Sequence, residues 1–86
     1  MDTTQIIDTC KRTCEAIGLV CTENENGISV NARKNSAEGT HRLNFRAVKD
    51  CGEIYFTITG QQINYYGKDT RIAMEKLEAA KILFDS

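Results

Sequence analysis

Five side chains in this sequence have the chemistry to ligate a metal or to act as nucleophile and base: Cys10, Cys14, Cys21, Cys51 and His41. Zinc sites are usually built from a Cys-x2–4-Cys knuckle in a turn, with a second such pair later in the chain. Cys10 and Cys14 instead fall at helical spacing between Ile6 and Ile17, and free cysteine is among the most buried residue types. Two cysteines four apart on a helix also have poor geometry for a disulfide. Both are therefore expected in the core, with no metal and no cofactor assigned. Cys51 belongs to a turn, where Lys49 favours a thiolate and Asp50 opposes it, so no special reactivity is expected. Strand alternation puts His41 on the inward side of its strand, as a structural histidine. No serine or cysteine is spaced to complete a triad with it, and an enzyme with a thiol or histidine centre ranks last among the functional readings.

A second chemistry is carried by arginine. Residues 33–49 hold five basic groups against one acidic group, in a chain whose formal net charge is −1. In strand phase, one face collects Ser29, Asn31 and Arg33, then Arg42, Asn44 and Arg46, then Tyr55, Thr57 and Thr59. Guanidinium groups on a flat platform can grip phosphate or carboxylate through forked, charge-assisted hydrogen bonds. The competing reading is an ordinary solvated sheet face. With Tyr55 its one aromatic, this platform does not look like a stacking surface for single-stranded bases. Gly67-Lys68-Asp69-Thr70 ahead of a helix invites comparison with a phosphate-binding loop. Gly60 is too far upstream, aspartate replaces the hydroxyl residue after the lysine, and no parallel βαβ unit surrounds it. Asp69 reads better as a helix cap. Tyr65 and Tyr66, beside Ile63, form the densest aromatic cluster, either a lid on the core or a partner hot spot.

These residues need elements to position them. Ile6, Ile7, Cys10, Cys14 and Ile17 share one face of a first helix, with Asp2 and Gln5 as a capping-box variant and Gly18 as a left-handed C-terminal cap. Leu19 to Glu23 and Ile28 to Arg33 alternate, and Asn26-Gly27 between them predicts a type I′ hairpin turn. Lys34 to Gly39 reads as a polar loop, followed by a strand over Thr40 to Val48. A turn at Lys49-Asp50-Cys51-Gly52 leads to a strand over Glu53 to Thr59. Gly60-Gln61 suits a II′ turn into a short fifth strand at Gln62 to Tyr66. The last helix runs from Thr70 to Phe84, with Asp69 at its N-cap and Ala73, Leu77, Ala80 and Phe84 as its core stripe, widened by Met74 and Leu83.

The order α-β-β-β-β(β)-α predicts an α+β domain spanning residues 1–86, two helices packed on one face of a four- or five-stranded antiparallel sheet. Ile28, Val30, Leu43, Phe45, Ile54, Phe56 and Ile58 are then the residues under the helices. The composition, 41% apolar and 27% charged, is that of an ordinary globular domain. No apolar run approaches the ~20 residues of a membrane span. The first residues lack the basic and apolar regions of a signal peptide, so a cytoplasmic chain with reduced cysteines and no membrane contact is expected.

The α-β-β-β-α order, with Gly67-Lys68-Asp69-Thr70-Arg71-Ile72-Ala73 opening the last helix and Ala79 and Ala80 further along it, loosely resembles the double-stranded-RNA-binding domain. That resemblance implies phosphate contacts from Lys68 and Arg71. The family's paired lysines are absent, Asp69 sits among the implied contacts, and there is at least one strand too many. The leading expectation is a non-enzymatic binding module, a small regulator or inhibitor of the kind a phage or other mobile element encodes. It would engage a protein partner through the sheet's open face or edge, with Arg33, Arg42, Asn44, Arg46 and Tyr55 as contact residues. The alternative is a nucleic-acid-binding domain that adds Lys34, Lys49, Lys68 and Arg71 to the same arginines. A homodimer through an edge strand is a further expectation.

Overall fold

A computed structural model describes residues 2–86. The elements follow as α1 (Thr3–Ala16), β1 (Thr22–Asn24), β2 (Gly27–Ser36), β3 (Gly39–Asp50), β4 (Glu53–Thr59), β5 (Asn64–Gly67) and α2 (Thr70–Asp85). The five strands form one antiparallel sheet in the order β1-β2-β3-β4-β5, a meander in which every neighbour in sequence is a neighbour in space. Both helices pack against the same face, as the element order predicts.

Each helix starts and stops where its sequence says. The Asp2 carboxylate accepts from the Gln5 backbone N–H at 2.9 Å, and the Asp69 carboxylate accepts from that of Ile72 at 3.0 Å. At the end of α1 the N–H of Gly18 donates to the Glu15 carbonyl and that of Leu19 to the Cys14 carbonyl. This Schellman arrangement needs the left-handed φ of +81° that Gly18 supplies. It also turns Leu19 back into the core, where it is 6% exposed.

The core is the inward half of the alternation. Leu43, Phe45, Ala47 and Phe56 have no exposed surface, nor do Cys10, Cys14, Ala73 and Leu77 from the helices. Phe45 and Phe56 stack with ring centroids 6.5 Å apart and planes 17° apart. Cys10 and Cys14 are packing residues, as their spacing suggested. Burial pushes both thiols up to about 12, with the neighbouring cysteine sulfurs adding to the shift.

Several connections differ from their sequence reading. Asn24 pairs with Gly27, so the first hairpin turns on Glu25-Asn26 and not on Asn26-Gly27. The Asn24 side-chain oxygen accepts from the N–H groups of both Asn26 and Gly27, and this Asx turn outcompetes the type I′ alternative. Gly27 is used for close approach instead: a Cβ on it would stand 1.9 Å from the Ala47 carbonyl oxygen. Its neighbour Asn26 accepts from the Lys49 N–H at 2.7 Å, locking the hairpin to β3. The alternation from Leu19 yields only a three-residue β1, because the Schellman turn holds Leu19 under the sheet.

The largest departure is at Lys34 to Gly39. In place of a loop, β2 and β3 continue to a tight turn at Ala37-Glu38, with Lys34 opposite His41, Asn35 opposite Thr40 and Ser36 opposite Gly39. The Thr40 hydroxyl donates to the Asn35 side chain at 3.0 Å, and the Ser36 hydroxyl to the Gly39 carbonyl at 3.0 Å. Polar cross-strand bonds hold this arm, so the apolar periodicity that marks a strand is missing there. The Gly60-Gln61 turn is also not a II′ turn. Gly60 keeps a negative φ, its N–H donates to the Ile63 carbonyl, and β5 begins two residues later than expected, at Asn64.

Candidate functional site: the uncovered face and edge of the sheet

Register decides what stands beside what on the face away from the helices. Arg33 is directly opposite Arg42, Asn31 opposite Asn44, and Ser29 opposite Arg46 across β2 and β3. Continuing outward, Asn44 meets Thr59, Arg46 meets Thr57 and Val48 meets Tyr55 on β4, and Thr57 meets Tyr66 on β5. The three arginines are exposed, and none forms a salt bridge or hydrogen bond among the described residues. Like charges directly opposite one another in a sheet destabilise it by roughly 0.2–1 kcal/mol. The Arg33–Arg42 pair is therefore a standing repulsion that a bound anion would relieve.

The fifth strand adds a residue that the sequence reading did not place on this face. Tyr65 and Tyr66 point to opposite sides. Tyr65 packs against the core and its hydroxyl accepts from the Asp69 N–H at 3.2 Å, whereas Tyr66 stands 73% exposed on the outer face. Tyr66 and Tyr55 stack, with centroids 6.3 Å apart and planes 25° apart. The expectation of a single aromatic is thus corrected to a pair. The alternation of Ile63 and Tyr65 was the signal that sends Tyr66 outward, but with the start of β5 undetermined it had no fixed phase. Arg46, Val48, Tyr55, Thr57 and Tyr66 line an open hollow of about 440 Å³ together with Asn26, Lys49 and Asp50.

The lysines divide between this face and the rest of the molecule. Lys34 is in phase with the buried His41 on the helix side, and its ammonium lies 5.3 Å from the centroid of the Phe84 ring. It does not join Arg33. Lys49 pairs with the inward-facing Ile54 and lies exposed near the end of β3. Lys68 bridges to Glu53 at 3.4 Å and lies 5.7 Å from the Tyr55 ring centroid, while Arg71 is exposed in the first turn of α2. The Glu53 carboxylate, more than any other neighbour, raises the Tyr55 phenol above its ordinary range. Of the alternative nucleic-acid set, Lys49 and Lys68 thus adjoin the Arg46–Tyr55 part of the platform, whereas Lys34 lies on the helix side and Arg71 on α2.

The candidate reactive residues are placed apart from this face. His41 is 8% exposed; its Nδ1 lies 3.3 Å from the Phe84 carbonyl oxygen and its Nε2 lies 3.2 Å from the Ser36 hydroxyl, so both ring nitrogens are engaged. Cys51 is exposed in the β3–β4 turn with a φ of +51°. Ile82, on the outer side of α2, is 70% exposed. Among the described residues no helix is long and apolar enough to cross a membrane. No family model, no curated protein and no solved structure matches the chain.

Proposed function

We propose that this chain is a non-enzymatic binding module whose outer sheet face docks an acidic surface of a partner protein. One observation carries the reading: Arg33, Arg42 and Arg46 share a face that the helices leave uncovered, and none has a carboxylate partner of its own. Desolvated arginine and tyrosine are the side chains most enriched at interface hot spots, and here Tyr55 and Tyr66 flank the arginines. A regulator or inhibitor suits a domain whose functional groups lie on a flat face and not around a reaction centre. The placement of the candidate catalytic groups supports the same view. His41 has both nitrogens occupied by structural hydrogen bonds, and Cys10 and Cys14 are held as thiols.

The test is an Arg42→Glu/Arg46→Glu double variant, compared with the native chain in a crosslinked pull-down from the host and then with the purified partner. The double variant is expected to fold and to lose the partner. Equal recovery of that partner by both proteins overturns the reading.

A second reading, a single-stranded nucleic-acid surface, is favoured by the Tyr55–Tyr66 pair beside Arg46. Aromatic faces next to a guanidinium suit a base and its phosphate, and stacking on such a platform contributes about 1–3 kcal/mol per base. Phosphate contacts would make affinity fall steeply between low and moderate salt. Anisotropy with labelled RNA and DNA at low salt decides it: no binding eliminates the nucleic-acid reading.

A further inference from the structure

The sheet is unevenly finished on its β1 side. β2 is ten residues long, yet β1 pairs only with Gly27, Ile28 and Ser29. Among the described residues, nothing pairs with 30–36 on that side. At ~3.3 Å per residue this leaves on the order of 20 Å of edge, along which alternate residues turn their N–H and C=O groups away from β3. The chain leading into β1 runs past this edge without closing it. Leu19 sends its N–H back to the Cys14 carbonyl at 2.8 Å, and no backbone hydrogen bond joins 18–21 to β2 among the described residues. Between the two lies an open groove of about 380 Å³, lined by Leu19, Val20, the start of the edge at Val30 to Arg33, Phe84, and Lys81, whose ammonium is paired with Asp85. Val20, on its lip, is 87% exposed. Exposed edges in natural sheets are usually blunted by charged side chains, proline, a bulge or a short strand, and the charges on this one are Arg33 on the outer face and Lys34 on the helix side. This edge is long, contains no proline and keeps regular register with β3 throughout.

We propose that the free edge of β2 is a strand-addition site for an extended partner segment in which apolar and acidic residues alternate. An added strand takes its affinity from main-chain hydrogen bonds and its specificity from alternate side chains. On the helix side those side chains meet Leu19, Val20 and Phe84, which select apolar groups, since Lys81 is paired with Asp85 and Lys34 lies over the Phe84 ring further along. On the outer side they meet Arg33, with Arg42 directly behind it, which select carboxylates and relieve the arginine repulsion. A second copy of this chain is a poor occupant, because antiparallel pairing of two β2 edges would bring a second Arg33–Arg42 pair onto the same face. The proposal rests on the partner-binding reading but uses the edge instead of the centre of the face, so the two can fail separately.

Synthetic peptides of about nine residues test it by anisotropy and by amide chemical shifts: one alternating valine and glutamate, one alternating valine and lysine, and one with the valine–glutamate composition in block order. The valine–glutamate alternation is expected to bind at least about tenfold more tightly than either other peptide and to shift the amides of Val20 and of 30–36. N-methylating one set of its alternate amides should abolish binding, while methylating the other set should leave it. Arg33→Glu, at an exposed position, should reverse the preference toward the lysine peptide, and Lys76→Glu, exposed on α2, should change neither. Equal affinity for the alternating and block peptides overturns the proposal, as does a concentration-dependent dimer whose contacts are the 30–36 amides. Shifts confined to Arg46 and Tyr66 overturn the edge site and leave the central-face reading standing.

Discussion

β3 carries two chemistries on one backbone. Leu43, Phe45 and Ala47 lose all contact with water beneath the helices, while Arg42 and Arg46, one residue out of step, stand exposed on the other side with Asn44 half-buried between them. The contrast extends across the sheet. The helix side is a continuous apolar cluster in which no buried side-chain polar atom among the described residues lacks a partner, whereas the outer side holds three arginines with no salt-bridge partner among those residues. The stabilising face and the proposed recognition face are thus separated by a period of two, and substitutions on the two sides should have effects of different size and even of different sign.

The largest effect belongs to the helix side. Phe45→Ala should lose about 3–5 kcal/mol, a large share of the stability a domain of this size commands, measured by urea unfolding. A loss below about 1 kcal/mol would mean that the two faces do not differ in the way described. Gly27→Ala comes next. It sits where sheet geometry allows no side chain, since the new Cβ would meet the Ala47 carbonyl with φ at +151°. A destabilisation of at least about 1–3 kcal/mol is expected, with the β2–β3 amides the first to lose protection from hydrogen exchange.

The buried thiols sharpen the comparison through pH. Cys10 and Cys14 have folded pKa values raised from 9.0 to about 12. Between those values the unfolded chain releases protons that the folded chain keeps, so their contribution is intact below pH 9 and is lost as pH rises toward 12. A Cys10→Ala/Cys14→Ala variant should show a flatter decline of stability over that window than the native chain. An identical slope would mean that the thiols are not buried in solution. Asp69→Ala should cost about 1 kcal/mol by leaving the first turn of α2 uncapped, read from the urea midpoint.

The smallest effect is the most diagnostic, because its sign is opposite. Arg42→Glu replaces the Arg33–Arg42 repulsion with a cross-strand ion pair and should stabilise the fold by about 0.2–1 kcal/mol at low salt, less at high salt. The same change is expected to weaken partner capture. A variant that is destabilised would place Arg42 in a supporting contact and collapse the distinction between the two faces.

How much of this was legible from residues alone follows from which signals are local. The caps at Asp2, Gly18 and Asp69 could be read because capping is satisfied within three or four residues. The phase of β2, β3 and β4 could be read because apolar side chains recur every second position, and that phase alone sends Arg33, Arg42 and Arg46 outward. The extension of the β2–β3 arm through Lys34, Asn35 and Ser36 could not. Its strand character depends on partners across the hairpin, and its outward pattern is polar on both sides. Tyr66 was missed for a related reason: two adjacent tyrosines give no phase until the start of the strand is known.

The sequence by itself determined the class of fold, the number and order of helices, most of the core and the outward set of arginines, because these depend on caps and periodicities confined to short stretches of chain. Only the tertiary structure decided that Arg33 faces Arg42, that Tyr66 stacks on Tyr55, that Lys34 is drawn to Phe84 on the opposite side, and that most of the β2 edge lies open. Those are matters of register and of where one strand stops relative to its neighbour. Register is settled by the sum of hydrogen bonds and side-chain contacts along whole strands, not by any residue that can be read alone.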